Sequence, residues 1–296
     1  MSALASTGGA PLAPITGRRK VTDVVMRGLL AAGTLIALVP LVLVIYYLLK
    51  KGLGAWSWDF FTTDPTGNFL GDQGGIKSAL VGTVVMVVLA SVIAIPIGWG
   101  VALYLVELGR GSRFASVVRY FIDVMTGVPS IVFGLFIYVT LVVGGWGGSS
   151  FAGWKGSVAL ALLMLPVVTR SAEVVLLLVP DSLREAALAL GTPRWRVTMK
   201  VVLPTALPGL VTGSLLAVAR AAGETAPLLF TATIVNATTL NVGERMNSLP
   251  VQIFTDIGSP NDQLVQRAWG AALALVTLIL LTTLVARLFS RRSRLQ

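Results

Sequence analysis

The chain contains no cysteine and no histidine. The first absence removes disulfides, thiolate nucleophiles and zinc–thiolate sites, and with them any inference about redox compartment. The second removes the usual general base near neutral pH and the commonest metal ligand. No catalytic residue, metal site or cofactor site is therefore expected on this chain, and an enzyme would have to work with Asp, Glu or Lys alone. Charge is scarce as well. Only 12% of the 296 residues are charged and 55% are hydrophobic, against roughly 25% charged in a soluble domain. That balance argues for a bilayer as the solvent.

The 23 Lys and Arg exceed the 13 Asp and Glu, which in a soluble protein would suggest nucleic acid. Here the basic residues cluster between long apolar runs, so the expected partner is membrane lipid and not nucleic acid. Six runs are long enough to cross ~30 Å of hydrocarbon at ~1.5 Å per residue: 24–49, 78–106, 117–143, 157–179, 205–234 and 268–288. The first is too long for a signal-peptide core and lacks a small-residue cleavage site, so it is expected to persist as a span. An all-α polytopic membrane protein follows. The expected organisation is a cytoplasmic tail over 1–23, a first span over 24–49, an outer loop over 50–73, a transmembrane domain over 74–290 and a basic tail over 291–296.

With both termini cytoplasmic, fifteen Lys and Arg fall on the inner side and six on the outer side, a positive-inside bias. Arg170 and Arg220 belong to no loop. Both are expected near the middle of a span, where a lone Arg costs about 2.5–3.5 kcal/mol on insertion scales and must face a partner or water. Glu173 and Glu224 lie three and four residues further on, which puts each pair on one helix face. Two readings stand: interhelical ion pairs that fix packing, or a path in which an entering oxyanion competes with Glu for the guanidinium fork. Thr225 belongs to the second reading. Asp123 is expected at the interface.

Proline recurs at membrane depth, at Pro166 and Pro227 and in the run Thr126-Gly127-Val128-Pro129-Ser130. Proline deletes a backbone donor and is tolerated where helices meet or a cavity supplies water. Thr126, Gly127, Pro129 and Ser130 are thus a candidate gate, with the general frequency of Gly and Pro in membrane helices as the plainer account.

The segment 180–204 is unlike the other loops. Ser182-Leu183-Arg184-Glu185 has the capping-box pattern, an apolar run follows, Gly191 supplies a left-handed stop, and Thr192-Pro193 restarts a second short helix as cap and first residue. An apolar helix of about two turns on the basic side needs a cover. The order Glu185-Ala186-Ala187, three residues, Gly191, nine residues, Val201-Val202-Leu203-Pro204 resembles the EAA loop of ABC-importer permeases. Gly74-Gly75-Ile76, the Gly127 to Ser130 break, the run Arg220 to Thr231, Ser248 to Phe254 and Ala268 to Ala272 are similar to the permease subunits of phosphate-specific ABC importers. The likeness covers about residues 74 to 290, and 236–247 carries no family pattern.

That resemblance implies the type-I ABC importer permease fold, with six transmembrane helices and cytoplasmic coupling helices between spans four and five. The implied partners are a second permease subunit, an ATPase dimer and a periplasmic phosphate-binding protein. The resemblance associates Arg170 and Arg220 with phosphate passage, to which the spacing argument adds Glu173, Glu224 and Thr225 as an expected substrate path, and it implies Glu185, Ala186, Ala187 and Gly191 as the residues coupling to the ATPase. No Gly-x-x-x-x-Gly-Lys-Ser/Thr occurs, so ATP and magnesium are expected on the partner. Arginine chemistry alone leaves sulfate, molybdate or a passive anion channel open, as well as a membrane scaffold.

Overall fold

A computed structural model of the protein describes residues 17–67, 73–146 and 150–292. Most of the expected N-terminal tail and the last residues of the basic tail lie outside them. Among the described residues the secondary structure is helical, apart from one bridge between Pro65 and Gly74. The chain falls into two units, Met1–Tyr47 and Leu48–Gln296. The first is the greater part of α1 (Gly17–Gly52), which begins ahead of the expected span. It exposes Val, Leu and Ile on every side, as a helix does whose solvent is lipid.

The second unit carries α2 (Trp58–Thr62), α3 (Lys77–Leu103), α4 (Arg113–Gly127), α5 (Ser130–Ile137), α6 (Gly153–Leu177), α7 (Asp181–Ala189), α8 (Arg194–Val197), α9 (Leu203–Ala222), α10 (Ala226–Thr231), α11 (Leu249–Ile257) and α12 (Asp262–Arg292). Wide π-type turns extend α3 to Leu108 and α5 to Val143, and join α8 to α9. Five helices are long and apolar enough to cross a membrane, and a sixth span arises if α4 and α5, bent by 101°, count as one. The bend falls where Val128 and Pro129 are extended, because proline disfavours helical backbone in the residue before it.

Two expectations need correction. The fifth span is not one helix over 205–234: a rod runs from Arg194 to Ala222, stops at Gly223, and α10 restarts with Pro227 as an early residue. The second short helix after Gly191 is the first turn of that rod. Pro193, not Thr192, is its cap, since Pro193 has an extended ψ of 147° and its carbonyl accepts from Arg196 and Val197 at 2.9 and 3.1 Å. The widened turn at Thr198–Val202 comes directly before Pro204, whose missing N–H and bulky ring a regular ladder accommodates poorly.

The core lies where α3, α6 and α9 meet, around Met86, Ala90, Leu160, Met164, Val168 and Ala217. Without a hydrophobic drive between helices in lipid, close approach of small residues supplies the packing. A Cβ on Gly98 would stand 2.7 Å from Val168 Cγ1, and one on Gly213 would stand 2.7 Å from Ser171 Oγ. Trp99 adds a cross-link by donating from Nε1 to Ser214 Oγ at 3.0 Å. On the far side, Arg267 donates to both oxygens of Asp256 at 2.8 and 3.0 Å and to the Gln73 carbonyl. It was counted by sequence among exposed loop charges, as was Lys155, which is fully buried and donates to the Leu141 carbonyl at 2.9 Å.

Gly98→Leu is expected to destabilise the subunit by about 1–3 kcal/mol through overpacking. Gly100→Leu, at a position where a Cβ meets nothing within 4 Å, should change it by less than about 0.5 kcal/mol. Thermal melts of the two purified variants check the contrast.

Candidate functional site: an arginine path and its coupling helix

Arg170 is the residue around which α4 and α6 join. Its Nη1 donates to Glu173 Oε2 at 2.7 Å, the i to i+3 pair expected from spacing. Its Nε donates to Asp123 Oδ1 on α4 at 2.8 Å, and Nη2 bonds the same oxygen. Glu173 is in turn bonded through Oε1 to Arg119 Nε at 2.6 Å. Asp123, expected at the interface with no role assigned, is Arg170's second carboxylate. Arg119, read as a loop charge, belongs to the same quartet. Positions 119 and 123 lie about one turn apart on the same face of α4, so both reach α6.

Arg170 also lines a cavity of about 770 Å³ between α6, α9 and α12, with Thr212, Leu216, Ala219 and Arg287 among its walls. Arg220 continues the stripe Thr212–Leu216 at a spacing of four, and all three are exposed. Both arginines thus serve one face. They differ in height. Since Gly213 meets Ser171, Arg220 stands two turns beyond that level, about 10 Å along the axis. Arg220 is in the last turn of α9 and not at its centre, because Gly223 ends the helix there. Its guanidinium faces Glu224 at 3.7 Å, too far for a hydrogen bond, and its side chain is 53% exposed against 33% for Arg170. Thr225 precedes α10 and offers no side-chain cap. A second cavity of about 460 Å³, between α3, α9 and α12, is walled mostly by Val, Ile, Leu and Ala and offers an anion no charge.

At the candidate gate, Thr126 Oγ1 donates to the Asp123 carbonyl at 2.6 Å, so that hydroxyl completes the end of α4 instead of lying free. Gly127 has open space where a Cβ would be, and Pro129 and Ser130 start α5.

The coupling segment is built differently from its expected capping box. The helix begins at Asp181 with Pro180 as its cap, and no side chain caps it. Ser182 lies inside the first turn, because Arg184 draws the Asp181 carboxylate to 2.9 Å and fixes Asp181 in helical backbone. Arg184 is buried. It also donates to Glu107 at 2.9 Å and to the carbonyls of Val179 and Leu176 at 2.6 and 3.0 Å. It ties α7 to the ends of α3 and α6. The Asp181–Arg184 spacing was the available signal for it. At the other end Gly191 has φ +77°, and Gly191 and Thr192 donate to Leu188 and Ala187, a Schellman stop as expected. Glu185 and Ala186 are exposed and Ala187 half-buried. Leu183, Leu190, Trp195 and Met199 are exposed beside them.

Broken spans around a charged cavity, with an apolar helix bared at one end, define a membrane permease moved by a separate partner. The family model "Binding-protein-dependent transport system inner membrane component" matches residues 94–295. The chain is similar to the "Phosphate transport system permease protein PstA" of Haemophilus influenzae, at 40% identity over 93% of this chain and 96% of that one. It is likewise similar to "Phosphate transport system permease protein PstA 1" of Mycobacterium tuberculosis, at 39% identity over 95% and 93%. Among solved structures, a bacterial ABC transporter for import of the acidic polysaccharide alginate aligns with a TM-score of 0.66 at 14% identity, over 93% of this chain and 98% of that one. An inward-facing MetNI methionine ABC transporter aligns with a TM-score of 0.58 at 22% identity, over 74% and 94%; both show the type-I importer permease fold. The chain belongs to the binding-protein-dependent inner membrane components and, within them, to the PstA phosphate transport permeases. It is a multi-pass inner membrane transport component and not an enzyme, and its family works with an ATPase and a substrate-binding protein.

Arg184→Gln should cost about 3–5 kcal/mol, since it strands a buried carboxylate and two carbonyls. Ser182→Ala should shift the melt by less than about 0.5 kcal/mol, whereas loss of a genuine cap would cost about 1 kcal/mol. Thermal denaturation of the purified subunit distinguishes the two.

Proposed function

We propose that the chain carries inorganic phosphate across the membrane by alternating access, using Arg170 and Arg220 as successive stations for the anion. The observation that carries this reading is Arg170 on the wall of a cavity of about 770 Å³, with Arg220 continuing the Thr212–Leu216 stripe of that wall about 10 Å further along α9. The names of the relatives at 40% and 39% identity supply the substrate. Glu224 and Thr225 accompany the first station and Glu173 the second. The α4–α5 break, with Thr126, Gly127, Pro129 and Ser130, is the pivot at which the path opens and closes.

Glu185, Ala186, Ala187 and Gly191 present α7 to a PstB-like ATPase dimer, which binds the ATP and magnesium. A PstC-like second permease completes the path, and a PstS-like phosphate-binding protein delivers the anion. Movement of α7 reaches Arg170 through Arg184, because Arg184 is bonded to the carbonyls that end α6. Nucleotide drives the change only through its different affinity for the two states. Both termini are cytoplasmic in this reading, so α7 and the basic α12 end share the inner side.

Arg220→Gln is expected to abolish phosphate uptake in cells while the complex still assembles; undiminished uptake overturns the assignment. Glu185→Lys should lower the phosphate transported per ATP by at least about tenfold, because a charge reversal in an interface costs several kcal/mol; proteoliposomes containing the full importer measure it. A periplasmic-activity reporter fused to either terminus should be silent, and an active one reverses the topology.

A further inference from the structure

The quartet on α4 and α6 leaves one acceptor open. Glu173 is 6% exposed and both of its oxygens are taken, one by Arg119 and one by Arg170. An arriving anion cannot readily displace it, since breaking a buried pair leaves a stranded charge. Asp123 is different. Its side chain is 56% exposed, and both bonds from Arg170 fall on Oδ1. Oδ2 carries no bond among the described residues, and the side chain that bears it is more than half exposed. The pair thus presents N–H donors and an ionised carboxyl oxygen side by side. Arg can only donate and an ionised carboxylate can only accept.

A ligand that satisfies both must accept hydrogen bonds from Arg170 and donate one to Asp123. Hydrogenphosphate and hydrogenarsenate carry an O–H at neutral pH and do both. Sulfate and molybdate carry none, and they would set oxygen lone pairs and like charge against Oδ2.

We propose that Asp123 is a specificity-determining residue of the anion path, accepting the proton of a hydrogen-bearing tetrahedral oxyanion held on Arg170. The proposal rests on the reading of Arg170 as a station for the anion. It assigns selectivity to the permease itself, in addition to whatever a binding protein imposes.

The test uses the permease pair and ATPase dimer assembled in nanodiscs without the binding protein, whose own selectivity would mask the effect. Radiolabelled phosphate is displaced by unlabelled phosphate, arsenate or sulfate. The wild type should prefer phosphate and arsenate over sulfate by about tenfold or more, as sites built to bond a substrate O–H reject analogues lacking it. Asp123→Asn and Asp123→Ser should bring that ratio close to one, and Asp123→Glu should keep the order. A ratio in either neutral variant equal to that of the wild type, or no preference in the wild type, overturns the proposal. Arg170→Gln separates the two claims. If it abolishes phosphate binding while Asp123→Asn keeps the preference, Asp123 falls alone; if it binds phosphate as the wild type does, the station reading falls with it.

Discussion

Glu173 is a carboxylate almost without water, and the arrangement of α4 against α6 depends on its being neutralised twice. Arg119 reaches it from α4 and Arg170 from one turn away on its own helix. An unpaired charge there would cost several kcal/mol, so these two bonds are permanent features of the packing. The contact between Arg170 and Asp123 belongs to another regime. Asp123 is more than half exposed, and ion pairs of that kind contribute about 0–1 kcal/mol. One guanidinium therefore has a fixed side, bonded to the buried Glu173, and an exchangeable side, bonded to the exposed Asp123.

The same division holds for the helices. Arg184 bonds the Leu176 and Val179 carbonyls at the end of α6 and Glu107 at the end of α3, whereas farther along α6 meets α3 and α9 through Gly98 and Gly213. Contacts between small residues have no bond directions to preserve, so helices joined by them slide at little cost compared with helices joined by buried ion pairs. On the proposed function, a push on α7 is therefore delivered to the ends of α3 and α6 together. The 101° break between α4 and α5 then gives the quartet's other half a place to bend. Small displacements become discrete states because packed surfaces fit in few registers.

The spans were legible because hydropathy measures the solvent a helix needs: four of six runs lie within helices or a bent pair, and the run 157–179 passes the end of its helix by two residues. The fifth failed at Gly223 and Pro227, where composition stays apolar while the backbone stops; a window of hydropathy cannot see a break that exchanges no solvent. Among the site residues, Glu173 was placed by i to i+3 spacing from Arg170. Asp123 and Arg119 were not, since α4 is distant in sequence and spacing says nothing across helices. Charge counting was silent on the partners of Lys155 and Arg267 for a related reason. Topology rules treat Lys and Arg near span ends as solvated, but carbonyls and Asp256 bury these two. The capping box was a real local signal that lost to Arg184, whose five bonds outweigh one hydroxyl cap of about 1 kcal/mol.

Two stations of unequal strength suit transport better than one strong site. A path must bind an anion well enough to admit it and weakly enough to release it. Arg220, with its carboxylate beyond hydrogen-bond distance and half its side chain exposed, offers a guanidinium with little competition. Arg170 is crowded by two carboxylates, so an anion arriving there gains less than it would at an isolated guanidinium. On the proposed path the anion is drawn in at the α10 end by the freer cation and is held less firmly as it nears α7. The carboxylates that raise the energy at Arg170 also keep the helix intact when no anion is present, since two guanidinium groups left bare in hydrocarbon would each cost about 2.5–3.5 kcal/mol. Stability of the empty state and ease of release therefore come from the same two side chains, Glu173 and Asp123, and a permease that strengthened one would weaken neither.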